Sequence, residues 1–293
     1  MEYILENEQL KVTVTTWGAQ VKSVRRKCDG VEHMWSADKA VWGYHAPILF
    51  PYTGKVKDGI IQAKGQTFEH LPQHGFARTS EHTLVRQSPR ELVLELRDSE
   101  ATRAVWPYGF RLLSTFTLEG DTLHHTLTVE NRDRERMPFG IGYHPAFKIP
   151  FDDAHEVQDY ELRFDRAQNP LCLSMLPRGL FSGKTYYLPT EGKAIPLNQE
   201  LFSVDSHCMT GLNARTLGVS EKGSNRAVVC DIRDFPYTLI WSKPGEMKFI
   251  CIEPWQSLPS PEKGGYQWDE KPAAAVLEPG EVWSTTLTTT FQR

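Results

Sequence analysis

Four short segments place ionisable or polar side chains inside apolar stretches bounded by Gly or Pro. They are LFPYTGKVKDG from Leu49 to Gly59, QHGFAR from Gln73 to Arg78, FGIGYHPAF from Phe139 to Phe147, and ICIEPW from Ile250 to Trp255. Glu253 carries the most information. It keeps the parity of Met247, Phe249 and Cys251, which is that of an apolar strand face. A carboxylate on such a face is costly unless it is paired or used. Glu253 therefore reads either as a strand end turned to solvent beside Pro254, or as a general base whose pKa burial raises toward neutrality. His144, between Tyr143 and Pro145, reads either as a satisfied core residue or as a proton donor, since imidazole titrates near neutral pH. His74 taken alone reads as structural, although Gly75 after it permits close approach of backbone to a ligand. Arg78 is either a surface residue or one that orients these groups.

Other chemistries lack their markers. Two histidines and a glutamate suggest a metal set, but no HxH or HExxH spacing supports one. His124 and His125 are strand neighbours that face opposite sides, so they make no simple ligand pair. No GxSxG, GxGxxG or P-loop occurs. The five cysteines, Cys28, Cys172, Cys208, Cys230 and Cys251, form no CxxC pair. Their odd number argues against a disulfide framework and a four-cysteine zinc site. What remains is acid/base chemistry by a carboxyl and one or two imidazoles.

The elements that must position these groups are strands. Leu10, Val12 and Val14 alternate with polar residues, and Phe110, Leu112, Ser114, Phe116 and Leu118 share one parity. Glu119-Gly120-Asp121 then turns the chain into Leu123, His125, Leu127 and Val129, a hairpin. Strands are also expected over 226–232, 237–241, 247–252 and 283–291. Only 152–161 and 196–202 offer short helical turns, so a Rossmann or TIM architecture, which needs long crossover helices, is excluded. The fold class is all-β, a large antiparallel sandwich forming one domain over 1–293. Lys and Arg number 33 against 37 Asp and Glu, a formal net charge of −4. That is not the basic footprint of a nucleic-acid binder. No signal peptide or membrane span is legible, so a cytoplasmic protein with no membrane partner is expected. The sequence leaves the oligomeric state open.

The motifs LFPYTGKVKDG, QHGFAR, GYHPAF and ICIEPW, in this order, resemble the aldose 1-epimerase (galactose mutarotase) family, closest to a divergent bacterial branch of it. The resemblance spans most of the chain, from Trp17 to the terminal strand after Pro279. It implies a galactose mutarotase-like β-supersandwich with a sugar cleft, a small-molecule sugar as partner, and neither metal nor organic cofactor. It also implies roles: His144 as the acid toward the ring oxygen, Glu253 as the base on the anomeric hydroxyl, and His74 holding the sugar. Lys55 stands where the family usually has an Arg, keeping the charge without the planar fork. Asp205 or Thr210 corresponds to the family's substrate-binding Asp. Arg78 is expected to bind substrate, and Trp255, Tyr52 and Phe76 offer faces for stacking on a sugar, with core packing the better reading for Phe76. Two other functions stay open: a sugar-binding protein that has lost catalysis, and a hexose-6-phosphate epimerase, which would need a basic cluster at the cleft, to which Lys55, Lys57 and Arg78 could contribute.

Overall fold

The computed structural model describes residues 1–176, 179–245, 247–271 and 274–293. Two large antiparallel sheets, of nine and eight strands, form a supersandwich, and smaller two- and three-stranded sheets surround them. The hairpin at the centre of the larger sheet pairs Phe110–Glu119 with Thr122–Asn131, and Glu119 faces Thr122 across the turn. Alternation puts Phe110, Leu112, Phe116, Leu118, Leu123, Leu127 and Val129 inward. The strand Val282–Gln292 pairs with Thr122–Asn131. Hydroxyls meet across this pair on its outer face, Thr122 with Thr290, Thr126 with Thr286 and Thr128 with Ser284, at 2.8–3.0 Å. Cross-strand pairs of this kind fix register on a face that makes no core.

The smaller of the two sheets is covered on both faces. All seven residues of its strand Phe249–Trp255 are buried. Ile250 and Ile252 join a continuous apolar cluster that runs from Leu5 to Phe291 and unites the sheets. Phe249, Cys251 and Trp255, of opposite parity, join two separate small clusters. The apolar parity that includes Glu253 thus faces away from the main core. The strand expected over 247–252 runs on through Glu253 to Trp255 and does not end at Glu253.

The helical content is one four-residue helix, Glu100–Arg103, and three single 3₁₀ turns, among the described residues. The turn expected within 152–161 is present at Val157–Asp159, whereas 196–202 holds only non-helical turns. Among the described residues no helix is long and apolar enough to cross a membrane.

Candidate active site

Strand register explains how His144 and Glu253 meet. Gly142 pairs with Trp255, and Ala146 pairs with Cys251. His144 lies midway between these two short strands, so the same register sets it opposite Glu253. Pro145 has no N–H to offer, which fits the break in the ladder at this point. Residues two apart share a face, so His144 and Glu253 project to the same side. His144 Nε2 is 3.3 Å from Glu253 Oε2, and both residues are buried. Gly142 matters here because a Cβ would come within 2.6 Å of the Trp255 ring, which needs that space to lie beside the pair.

His74 arrives from another part of the chain. Its Nδ1 accepts the Gly54 N–H at 3.0 Å, while its own N–H donates to the Gly54 carbonyl at 2.7 Å. The ring proton therefore sits on Nε2. Gly75 follows with φ +70°, and a Cβ there would lie 2.2 Å from the Phe50 carbonyl oxygen. Only glycine allows this approach. The His74 ring stands edge-on to both His144 and Trp255, with centroids 5.5 and 5.8 Å away.

These groups line one cavity of about 420 Å³, whose walls include His74, Arg78, His144, Asp205, Glu253 and Trp255. The volume is within the roughly 300–1,000 Å³ typical of small-molecule sites. A larger groove of about 740 Å³ runs past Lys22, Glu32 and His45. Glu32 there is tied to the Ser23 hydroxyl and to the backbone N–H groups of Val24 and Met34, and Lys22 is paired with Glu2 at 2.6 Å.

Burial drives the electrostatics. It pushes Glu253 well above the ordinary carboxylate range, and the nearby Asp205 charge adds to this. Burial, followed by the Arg78 charge, lowers His144 to about 3. His74 is held well below the usual imidazole range by burial, with His144 and Arg78 contributing. A carboxylate so placed is a stronger base than usual, and an imidazolium so placed is a stronger acid. Ligand atoms of His144, Cys251 and Glu253 also lie within 4.8 Å of one another. Burial, followed by the Glu253 charge, holds the Cys251 thiol well above its ordinary range in this site. A second acidic cluster, Asp152, His155 and Glu221, already holds a cation: Arg226 contacts Asp152 at 2.6 Å and Glu221 at 2.9 Å.

The aldose 1-epimerase family model matches residues 1–290. The chain belongs to that family. It is 30% identical over 283 residues to the LacX protein of Lactococcus lactis subsp. lactis, covering 94% of each. Among solved structures, a galactose mutarotase related enzyme from Lactobacillus acidophilus matches with a TM-score of 0.95 at 28% identity, over 100% of this chain and 98% of that one. A galactose mutarotase-like protein from Lactobacillus casei ATCC 334 matches with a TM-score of 0.91 at 28% identity, over 99% of both chains. The galactose mutarotase-like supersandwich is therefore the fold.

Not every residue singled out from the sequence reaches the cavity. Lys55 does not line it. Its N–H donates to the Gly179 carbonyl and its carbonyl accepts from Ser260, so the backbone presents Gly54, not Lys55, to the cavity. Lys57 donates to the Gly264 carbonyl and lies over Tyr266, which removes it from any basic cluster at the site. Thr210 donates to the Pro236 carbonyl and is absent from the wall, whereas Asp205 is part of it. Tyr52 is buried with its hydroxyl on the Pro72 carbonyl, and Phe76 packs on Phe50, Trp106 and Phe110. Neither lines the cavity. Arg78 lines the wall with its guanidinium 4.8 Å from the Tyr44 ring centre and its buried Nε without a partner.

Several wall residues escaped sequence reasoning, among them Lys243 and two tryptophans. Trp42 stacks on His144, with centroids 4.9 Å apart and planes 24° from parallel, and Trp241 meets the same ring edge-on at 5.9 Å. Trp42 sits in an irregular segment held by its own carbonyl, which accepts from Trp35 Nε1 at 2.8 Å. The available signal was composition alone: two tryptophans, Trp35 and Trp42, in a stretch without strand periodicity.

Proposed function

We propose that this one-domain chain is an aldose 1-epimerase that interconverts the α and β anomers of a free, monosaccharide-sized aldose. One observation carries the reading: Glu253 and His144 stand 3.3 Å apart on one cavity wall. The anomeric hydroxyl and the ring oxygen hang on the same carbon. An acid and a base serving both must stand side by side, within hydrogen-bond reach of each. Glu253 takes the hydroxyl proton as its C1–O bond becomes a carbonyl. The ring C1–O bond breaks, and its electron pair receives a proton from His144 Nε2. The carbonyl end rotates about the C1–C2 bond, and the steps reverse on the other face. Ring opening leaves a protonated carboxyl and a neutral imidazole. Burial favours that same charge state in the empty site, so a proton must pass from Glu253 to His144 Nε2 as the sugar binds, before the ring opens.

The remaining residues bind. His74 donates from Nε2 to a sugar oxygen, Arg78 and Asp205 hold hydroxyls, and the Trp255, Trp42 and Trp241 rings cover apolar sugar faces. We read the sugar as free because Lys57 is engaged elsewhere and Lys55 is off the wall, and of the two cations that line it, Arg78 and Lys243, the Lys243 amine already donates to the Val41 carbonyl at 3.0 Å. A binding protein without catalysis gains nothing from a buried carboxyl beside a buried imidazole, which costs stability. Polarimetry on freshly dissolved α-glucose and α-galactose tests the proposal. Rotation should relax faster than the spontaneous rate in proportion to enzyme added. Saturable sugar binding with an unchanged relaxation rate would overturn it.

A further inference from the structure

His144 also borders a second space, of about 30 Å³, that Glu253 does not line. Its wall is mostly apolar, with Val21, Met34, Phe147 and Phe291 contributing. Three residues bring unspent polar atoms to it or near it. His144 Nδ1 and His125 Nε2 are both buried with no hydrogen-bond partner in the protein. Thr289, whose hydroxyl has only the weak contact of Cys230 Sγ at 3.8 Å, also lines the space. The Tyr143 hydroxyl lies close by but is committed, at 2.7 and 3.0 Å from the carbonyl oxygens of His125 and Thr285. A buried water needs roughly 10–15 Å³ and two to four polar partners. This space offers the volume and two or three partners.

We infer that a buried water in this space links His144 Nδ1 to His125 Nε2, and that His125 is thereby a positioning residue for the acid His144. The inference rests on the proposed role of His144. His125 comes from the opposite sheet, on strand Thr122–Asn131. Its ring is clamped by stacking on Phe116 at 4.1 Å and by the edge contact with Tyr143 at 5.1 Å. It is a fixed anchor.

The proton count explains why the link matters. For His144 to receive a proton from Glu253 or return one to the ring oxygen, Nε2 must be able to alternate between bare and protonated. Nδ1 must then hold a proton throughout. A buried N–H with no acceptor is unfavourable, and the ring would turn to the Nε2–H tautomer, which cannot accept at Nε2. Water bonded to His125 Nε2 supplies the missing acceptor. His125 suits this task because burial, reinforced by His82, lowers it to about 3, so it stays neutral with one bare nitrogen. The same hydrogen bond helps to stabilise the imidazolium when His144 carries both protons.

The test reads the tautomer directly. ¹⁵N-histidine NMR on the sugar-free protein at pH 7.5 should show His144 protonated at Nδ1 and bare at Nε2. In His125→Phe the signal should move toward the Nε2–H form, and kcat should fall at least about 10-fold with KM within about twofold, as wrong-tautomer defects do elsewhere. His125→Gln, whose amide can hold a water, should restore both. A folded His125→Phe protein with the native tautomer and native kcat would overturn the link. So would a wild-type His144 bare at Nδ1, a result that needs no variant to fold. The tautomer is measured without turnover, so a protein with no epimerase activity would refute the proposed function while leaving this reading decided on its own.

Discussion

Replacing Glu253 by Gln tests the division of labour at its strongest point. The amide keeps the size of the carboxyl, and its N–H₂ can donate to His144 Nε2 across the 3.3 Å contact seen in the native protein. It cannot take a proton from the anomeric hydroxyl. Removing a positioned general base lowers rates by roughly 10²–10⁴-fold, equivalent to about 2.7–5.4 kcal/mol of barrier. Among the described residues Asp205 is the only other carboxyl on the cavity wall, so a substitute base there would have to come from it, and the loss should still reach about 10². The expected result by polarimetry is a kcat at least about 10²-fold lower with KM little changed. The same variant should be more stable at neutral pH. Burial raises the folded-state pKa of Glu253, so the folded protein binds more protons than the unfolded chain above the ordinary carboxylate pKa. Native stability therefore falls as pH rises through that window, and the Gln variant escapes the fall. The variant's Tm at pH 7.5 should exceed that of the native protein, and the two should converge near pH 4. A variant that keeps its kcat, or that gains no stability at neutral pH, would show that Glu253 is neither the base nor strained by burial.

Trp42→Ala removes the ring stacked on His144 and one cover of the sugar. KM should rise roughly 10-fold in steady-state kinetics, about what one aromatic contact contributes. Arg78→Leu should raise KM at least as much, while Lys55→Met, off the cavity wall, should leave kcat and KM within about twofold. A large KM effect in the Lys55 variant would mean that the side chain swings into the cavity when sugar binds. Lys271 is buried with its amine on the Leu258 carbonyl, and burial lowers it to about 7. Between pH 7 and the unfolded value of roughly 10.4, the folded state binds fewer protons, so native stability climbs with pH. Thermal melts should show Lys271→Met gaining most at pH 7 and below, with the gain shrinking toward pH 10; a pH-independent difference would contradict this account.

The parts of the fold that could be read in the sequence are those where one face is wet. Thr122–Asn131 and Val282–Gln292 alternate because water covers one side, and their periodicity gave strand, face and turn together. No strand was read in the segment from Leu171 to Thr210, although it contributes three strands to the smaller of the two large sheets. The strand Phe181–Tyr187 has no buried residue and Leu171–Met175 mixes its burial, so neither shows a clean period of two. The short helix Glu100–Arg103 escaped for another reason. Its Ser99 cap and Thr102 partner form a capping box, but four residues are too few to show helical periodicity.

The site shows the same division between what spacing carries and what only the fold supplies. Glu253 was visible because a charge on an apolar parity is a local contradiction, and the structure shows that this parity turns toward the cavity rather than the main core. Nothing local could pair it with His144, 109 positions away; that pairing comes from the antiparallel register that sets Gly142 on Trp255 and Ala146 on Cys251. Lys55 is the converse case. Its motif position suggested the place of a binding cation, yet one residue of phase separates it from the cavity, because Gly54 bonds His74 and faces inward while Lys55 is tied to Gly179 and Ser260. The positive charge on the wall instead comes from Lys243 and from Arg78, the latter on the 3₁₀ turn after His74 and Gly75. That turn is fixed to the Phe50 carbonyl by the N–H groups of Phe76 and Ala77. The two motifs are therefore joined by backbone hydrogen bonds into one wall. Because position 55 is off the wall and Arg78 is on it, a Lys for Arg exchange at position 55 alone does not decide whether the wall can bind a sugar.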